Sequence, residues 1–197
     1  MGKIIDEIPE IKNARSNYHL LKRNLNKERR KIKSLYEKHF FVNMITAKDV
    51  DDYKLEDYIL QLFQDLTYET RKPSSPRDLD VIVRLNSRTI GIEVKNGNLP
   101  NENEMFQARK YAIRYLKKTN KEMHPLIVWN NAKTGQEFDS LRIEDAQGNF
   151  YGIITTKELL KGYLKVKQKT INLHTFDNLI NRTGLIKFSN STIRKIG

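Results

Sequence analysis

Cysteine is missing from all 197 residues of this chain, so disulfide bonds, thiolate zinc sites and cysteine nucleophiles are excluded. A cysteine-bound iron–sulfur cluster is excluded for the same reason. Glycine is also scarce, with 9 residues, and no Gly-rich phosphate-binding loop or internal repeat is present. Any catalytic chemistry must therefore use acidic, basic and polar side chains.

Long apolar runs are absent as well, since none approaches the roughly 20 residues that a membrane-spanning helix needs. The N-terminal stretch Met1-Gly-Lys-Ile-Ile-Asp lacks the apolar centre of a signal peptide. We therefore expect an intracellular, cytoplasmic protein. Its length suits one domain with a substantial core and an appendage.

Negative charge is in short supply. The sequence has 36 lysines and arginines against 24 acidic residues, which gives a net charge of +12. Such an imbalance favours a polyanionic partner, with nucleic acid as the first candidate and an anionic membrane surface as the second. The motifs described below favour DNA, and no membrane partner is expected.

Two short apolar runs, Val81-Ile-Val83 and Ile90-Gly-Ile92, are separated by a polar stretch that contains Asn-Ser. Runs rich in Val and Ile with turn residues between them predict a β-hairpin. Side chains alternate between the two faces of a strand. Glu93 and Lys95 should therefore share one face of the second strand, while Ile90, Ile92 and Val94 share the other.

Asp80 opens the first strand of this hairpin and could project its carboxylate beside Glu93. One interpretation is a solvated hairpin whose outer face carries an ordinary ion pair with Lys95. The other is a metal site, because hard divalent cations such as Mg²⁺ bind one or two carboxylates together with water and phosphate. A neighbouring lysine would add positive charge where a phosphodiester becomes more negative during hydrolysis.

Asp80 followed by Glu93-Val-Lys95 resembles the core motif of the PD-(D/E)XK nuclease superfamily, which has the restriction-endonuclease-like fold. In that family a preceding helix carries a further acidic residue. The stretch from Leu55 to Leu66 has the apolar spacing of such a helix, and Glu56 stands at the matching position.

The RecB-like branch of this superfamily carries Gln-x-x-x-Tyr on a helix after the second strand, and Gln107-Ala-Arg-Lys-Tyr111 matches it. The resemblance covers roughly residues 50 to 130. The Pro-Asp element departs from the family pattern, because it reads Pro76-Arg-Asp-Leu-Asp80. Asp78 and Asp80 are therefore both candidates for the metal ligand, and Asp80 is preferred because it directly precedes the apolar strand.

The resemblance implies an α/β fold with a central mixed β-sheet flanked by helices, and metal-dependent hydrolysis of DNA phosphodiesters. It implies that Asp80, Glu93 and the carbonyl of Val94 hold one or two Mg²⁺ or Mn²⁺ ions, with support from Glu56. Lys95 would orient or activate the attacking water. Gln107 would position a water or a phosphate oxygen, and Tyr111 would support it or stack on DNA.

Two alternatives stay open. The hairpin is also similar to that of archaeal Holliday junction resolvases, which are dimers with a basic surface and cleave branched DNA. A nuclease of an archaeal virus would reconcile the small size with this mixed character. The alternative from another class is an inactive basic DNA-binding protein on the same fold.

A long helical pattern runs from about Ser16 to Phe41, with leucines near helical spacing and many cations. We assign residues 1–45 to a basic N-terminal helical extension and residues 46–197 to the nuclease domain. The extension could present a solvated face, contact phosphates, or pack against a second copy in a homodimer. The candidate phosphate contacts are Lys22, Arg23, Lys27, Arg29, Arg30 and Lys33, with Arg114 in the nuclease domain.

Further elements follow from local patterns. Thr46 or Asp49 would cap the helix that carries Glu56, and Asn101 with Glu104 would open the helix that carries Gln107. Later segments predict an edge strand at 67–71, a buried parallel strand at 125–129 and a hairpin pairing 141–143 with 151–154. We also expect three elements near the C-terminus: a helix from Thr155 to Gly162, a strand from Lys165 to Leu173 and a helix from Asp177 to Gly184.

Overall fold

The computed structural model describes residues 9–73, 79–85 and 88–189. The chain divides into two compact units, Met1–Phe40 and Phe41–Gly197. The first unit contains the long helix α1, Pro9–Lys38, and the short helix α2, Phe40–Met44, follows it.

Helix α1 begins earlier than the pattern predicted, at Pro9 rather than Ser16. Proline is well suited to the first helical position, because the N–H that it lacks would have no partner there. Glu10 in the first turn and Lys38 in the last turn complement the helix dipole. None of its residues is buried.

The second unit is built around a six-stranded sheet with the strand order β1-β2-β3-β4-β5-β6. The first three strands are antiparallel, and β3 to β6 run parallel to one another. This confirms the mixed sheet, with the predicted hairpin as β2 and β3. The strands are β1 Glu69–Arg71, β2 Val81–Arg84, β3 Thr89–Asn96, β4 Met123–Asn130, β5 Gly152–Thr155 and β6 Gly184–Leu185.

Helices cover both faces of the sheet, and the alternation of side chains along β4 shows the two layers. Leu126 and Val128 belong to one buried cluster with residues of α3, α6 and α7, while Ile127 and Trp129 belong to another with residues of α4 and α5. The five helices are α3 Asp52–Asp65, α4 Glu102–Thr119, α5 Ser140–Gly148, α6 Thr156–Lys167 and α7 Leu173–Ile180.

The helix that carries Gln107 has the predicted capping box. The Asn101 side chain accepts a hydrogen bond from the Glu104 N–H at 3.1 Å, and the Glu104 carboxylate accepts one from the Asn101 N–H at 2.8 Å. The cap of α3 was predicted wrongly, because Asp51 accepts from the Lys54 N–H, in place of Thr46 or Asp49.

Two predictions in the C-terminal third are wrong. Residues 141–143 belong to α5, which Asp139 caps by accepting from the Arg142 N–H, and β5 pairs with β4 in parallel instead of closing a hairpin. A segment as short as Leu141-Arg-Ile143 is compatible with either structure, and the buried Ala146 stabilises the helical one.

The predicted strand at 165–173 is also absent from the described structure. Helix α6 continues past Gly162 and ends at Lys167. The alternating polar and apolar residues that predicted a strand from Lys165 therefore begin in the last turn of this helix. The last helix begins at Leu173 rather than Asp177, because the Asn172 side chain accepts from the Thr175 N–H and caps it there.

We expect Gly162→Ala to destabilise the second unit by about 1–3 kcal/mol, although alanine favours helices more than glycine does. A Cβ at Gly162 would lie 2.5–2.7 Å from the ring of Phe188, which is fully buried and has little room to move. The measurement is the free energy of unfolding from urea titration.

Gly148→Ala is the matched control, because it also lies in a helix and its Cβ would meet no atom within 4 Å. It should leave stability unchanged or raise it by up to about 1 kcal/mol. Equal effects of the two substitutions would contradict the close contact between Gly162 and Phe188.

Candidate active site

Asp80 lies at the start of β2 and is tied to β3 by two hydrogen bonds. Its N–H donates to the Ile92 carbonyl at 3.0 Å, and its carboxylate Oδ2 accepts from the Val94 N–H at 2.7 Å. The sheet register also pairs Val81 with Ile92. Asp80 is therefore an extra residue at the strand end, as in a β-bulge, and such bulges redirect a side chain.

Glu93 and Lys95 share one face of β3, as predicted, and form an ion pair. The Lys95 Nζ lies 2.9 Å from the Glu93 Oε1. The side chain of Lys95 is 19% exposed, and that of Glu93 is 5% exposed. The second carboxylate oxygen of Glu93, Oε2, is buried and accepts no hydrogen bond from any described residue. A buried carboxylate oxygen without a partner is costly and is therefore a candidate ligand atom.

The burial of these groups changes their acid–base chemistry. Burial and the charge of Glu93 raise the pKa of Asp80 to about 7. Burial also raises the pKa of Glu93, although the ammonium of Lys95 opposes this. Burial alone would lower the pKa of Lys95, but the charge and hydrogen bond of Glu93 outweigh it, so this pKa is raised. Lys95 therefore stays protonated at neutral pH.

Glu56 on α3 contributes charge to this site. Its Oε2 lies 3.0 Å from the Nζ of Lys72, which also pairs with Asp57 at 2.8 Å. The negative charge of Glu56 nevertheless raises the pKa of both Asp80 and Glu93. The charge of Glu56 therefore acts on both carboxylates, and its role in holding a metal stays a prediction.

Sequence reasoning missed two charged residues near this group. Lys72 holds Glu56, and no local pattern could indicate this pairing because 16 residues separate the two. Glu104 acts on Glu93 and Lys95 through its charge and raises the pKa of both.

The carbonyl of Val94 is oriented toward the same edge as Asp80. Within a strand, the N–H and C=O of one residue point to the same side, and the Val94 N–H donates to Asp80. Its carbonyl therefore faces the region just before β2 begins. This orientation suits the predicted role of the Val94 carbonyl as a ligand.

Gln107 and Tyr111 are joined on one face of α4. The Gln107 Nε2 donates to the Tyr111 hydroxyl at 2.6 Å, so the hydroxyl orients the amide. Tyr111 is buried, and the guanidinium of Arg114 lies over its ring, 5.6 Å from the centroid. The predicted Gln-x-x-x-Tyr pair is thus a fixed unit.

Tyr111 and Arg114 also line a groove of about 270 Å³ between α4 and the strands β1 and β2. Leu79, which directly precedes Asp80 in the chain, also lines this groove, so the groove lies close to Asp80. Among the described lining residues, Arg71, Arg114 and Lys118 carry positive charge and none carries negative charge.

These groups fit a hard divalent cation better than a closed zinc site. In the described part of the chain, no three histidine, aspartate or glutamate side chains converge on one point. Asp80, the Glu93 Oε2 and the Val94 carbonyl offer oxygen atoms only. Mg²⁺ and Mn²⁺ accept such oxygen sets and complete their coordination with water and substrate phosphate, whereas structural zinc needs four protein ligands.

Other predicted site residues belong to the first unit or lie outside the described residues. The cations Lys22, Arg23, Lys27, Arg29, Arg30 and Lys33 are exposed on α1 in the first unit. Asp78, the alternative to Asp80, lies outside the described residues.

Comparisons with known proteins bear on the fold. No family model matches the sequence, and no curated protein matches it. Two solved structures of the restriction endonuclease FokI are similar to this chain in three dimensions, both with a TM-score of 0.59. The chain has a restriction-endonuclease-like fold.

One FokI structure is 14% identical over 75% of this chain, and a second, which is bound to DNA, is 15% identical over 78%. The chain spans about a third of the length of FokI, namely 30% and 31% of the two structures. In the described residues, no helix is both long enough and apolar enough to cross a membrane.

We expect Asp80→Asn to stabilise the metal-free protein at pH 8 by about 1 kcal/mol or more. Because the folded pKa of Asp80 is raised from 3.8 to about 7, the folded state binds more protons than the unfolded state between these values. Wild-type stability should therefore fall as pH rises through this window. Asparagine cannot ionise, so it removes this loss.

The measurement is the free energy of unfolding at pH 4 and pH 8 in the presence of chelator. Glu122→Gln, at an exposed carboxylate, is the control and should show no comparable gain. A gain for Asp80→Asn that is the same at both pH values would contradict a raised pKa.

Proposed function

We propose that this chain hydrolyses the phosphodiester bonds of DNA and uses Mg²⁺ or Mn²⁺ to do so. The observation that carries the proposal is the buried pair Asp80 and Glu93, whose pKa values are raised, beside the protonated Lys95. The restriction-endonuclease-like fold supports it, and one of the similar FokI structures is bound to DNA.

In this proposal Asp80, Glu93 and the Val94 carbonyl hold one or two cations, and Glu56 supports them directly or through water. A bound divalent cation lowers the pKa of a coordinated water and neutralises the scissile phosphate. The carboxylates of the protein supply the negative charge that attracts the cation. The hydrogen bond from the Val94 N–H fixes one oxygen of Asp80, which leaves its other oxygen, Oδ1, as a ligand atom.

Lys95 acts through its charge in this mechanism. Its raised pKa favours the ammonium form, which cannot take a proton from water. It can orient the attacking water and donate a hydrogen bond to the phosphate as negative charge develops there. Glu93 holds the ammonium at 2.9 Å, so Lys95 needs little reorganisation during the reaction.

The groove beside the carboxylates offers a path for one DNA strand. Arg71, Arg114 and Lys118 would pair with phosphates, and the Tyr115 ring would contact a base or sugar. Gln107 would hold a water or a phosphate oxygen, with Tyr111 fixing its amide. We extend the proposal to the exposed cations of α1 as further phosphate contacts.

We expect cleavage of DNA to require a divalent cation and to be lost in Asp80→Asn and Glu93→Gln, because each substitution removes a ligand charge. Linear, circular and branched DNA should be compared with Mg²⁺, with Mn²⁺ and with chelator. Calorimetry should show weaker Mn²⁺ binding by both variants, and circular dichroism should show intact folding.

Asp78→Asn is the control, because it removes an acidic residue two positions before Asp80 in the sequence that the proposal does not use as a ligand. It should cleave DNA like the wild type. Full cleavage in excess chelator would overturn the metal-dependent mechanism. Cleavage of branched DNA alone would favour the resolvase-like alternative, and DNA binding without cleavage would favour the inactive binding protein.

We expect Gln107→Ala to reduce turnover by about 10²-fold while leaving Mn²⁺ affinity nearly unchanged, as is common when a positioning contact is lost. Tyr111→Phe should cause a smaller loss than Tyr111→Ala, because only the hydroxyl that orients Gln107 is removed. The measurement is single-turnover cleavage.

Gln61→Ala on α3 is the matched control, because this glutamine is exposed and is not part of the site. Wild-type rates for both Gln107→Ala and Tyr111→Ala would mean that the Gln-x-x-x-Tyr match has no catalytic role. The resolvase-like alternative, which needs only the carboxylates and Lys95, would then be favoured.

A further inference from the structure

Helix α1 carries a stripe of large apolar side chains that remain exposed. Leu21, Leu25, Ile32 and Leu35 are 52–67% exposed, and no residue of the helix is buried. A helix in water is stabilised chiefly by packing an apolar face against another surface. The spacing of the stripe indicates what that surface is.

The stripe follows a seven-residue repeat. With Ile11 placed at position a, the next a positions are Tyr18, Leu25 and Ile32, and all are apolar. The d positions are Ala14, Leu21, Glu28 and Leu35, where Glu28 is the single polar residue. Apolar a and d residues sustained over four heptads are typical of a coiled coil, so the surface that fits this stripe is another helix.

The charges beside the stripe indicate a parallel pair of identical helices. In a parallel coiled coil, each e residue lies beside the preceding g residue of the other helix. For two copies of α1, no such pair joins two cations. The pairs are Arg15 with Glu10, Lys22 with Asn17, Arg29 with Asn24 and Tyr36 with Lys31.

An antiparallel pair would be less favourable, because it sets e residues against e residues. Arg15, Lys22 and Arg29 would then face one another, and like charges in contact repel. We propose that α1 is a dimerisation helix, which forms a parallel two-stranded coiled coil with α1 of a second copy of this chain. This inference rests on α1 alone and does not depend on the nuclease proposal.

Glu28 sets the register of this dimer at a cost in stability. In the parallel arrangement the two Glu28 side chains meet at one d layer, where a single polar residue can specify alignment. Lys31, whose Nζ lies 2.6 Å from the Glu28 Oε1, offsets part of the repulsion. Arg23, Lys27 and Arg30 lie at the outer positions f and c, so dimerisation leaves them available to phosphate.

The test is the mass of the full chain by sedimentation, measured over a range of protein concentrations. The wild type should be a dimer, and Leu21→Asn with Leu25→Asn should weaken the dimer by about 100-fold or more. Leu20→Asn is the matched control, since Leu20 is also exposed, at 58%, but lies outside the a and d positions. Glu28→Leu should tighten the dimer.

A monomeric wild type would overturn the proposal, and so would equal weakening by the Leu20 variant and the double variant. Thermal unfolding of the second unit should be the same in all variants, so that loss of the dimer is not loss of the fold. The measured mass does not depend on nuclease activity. The test of the dimer therefore stands even if the chain does not cleave DNA.

The direction of the helices can be tested separately, because the chain has no cysteine. Leu35→Cys lies near one end of α1, where only a parallel pair brings the same residue of both copies together. It should form a disulfide-linked dimer on mild oxidation, whereas Leu20→Cys should not. A dimer that Leu35→Cys fails to cross-link would overturn the parallel arrangement.

Discussion

The hydrogen bond from the Val94 N–H to the Asp80 carboxylate joins the two strands on which the candidate site is built. It holds Asp80 at the start of β2, beside the face of β3 that carries Glu93 and Lys95. Because strand side chains alternate, a slip of one residue would move Glu93 and Lys95 to the opposite face, among the apolar side chains. The buried Ile90 and Ile92, which occupy that face now, stabilise the observed register.

Burial is what makes this group of charges chemically unusual. Two carboxylates in water would both be ionised at neutral pH, but burial and mutual repulsion raise the pKa of Asp80 to about 7. The group is therefore electrostatically unfavourable as it stands, apart from the pairing of Glu93 with Lys95. A divalent cation would relieve this repulsion, and that is the physical basis for proposing a metal site.

The two units have different physical characters. The second has apolar clusters on both faces of its sheet, and Arg71, Arg114 and Lys118 line the groove beside its strands β1 and β2. The first is a single long helix whose apolar residues are exposed and whose cations lie mainly beside or opposite the apolar stripe. The proposed dimer would bury the stripe of α1 without using any surface of the second unit.

Local sequence determined the elements whose signals lie within a few residues. The runs of Val and Ile predicted the β2–β3 hairpin, and Asn101 with Glu104 predicted the start of α4. The alternation of a strand placed Glu93 and Lys95 together, and the spacing of one helical turn placed Gln107 beside Tyr111. In the C-terminal third the local signals were too short, since the segment 141–143 fits a strand or a helix equally well until Ala146 packs into the core.

Tertiary structure alone decided which distant residues meet. The pairing of Lys72 with Glu56, the influence of Glu104 on Glu93 and the groove between α4 and the β1–β2 edge all join segments that are far apart in the chain. The size of the pKa shift of Asp80 was likewise decided by the tertiary structure. Burial depends on every element packed around a group, whereas a sequence pattern records only its neighbours along the chain.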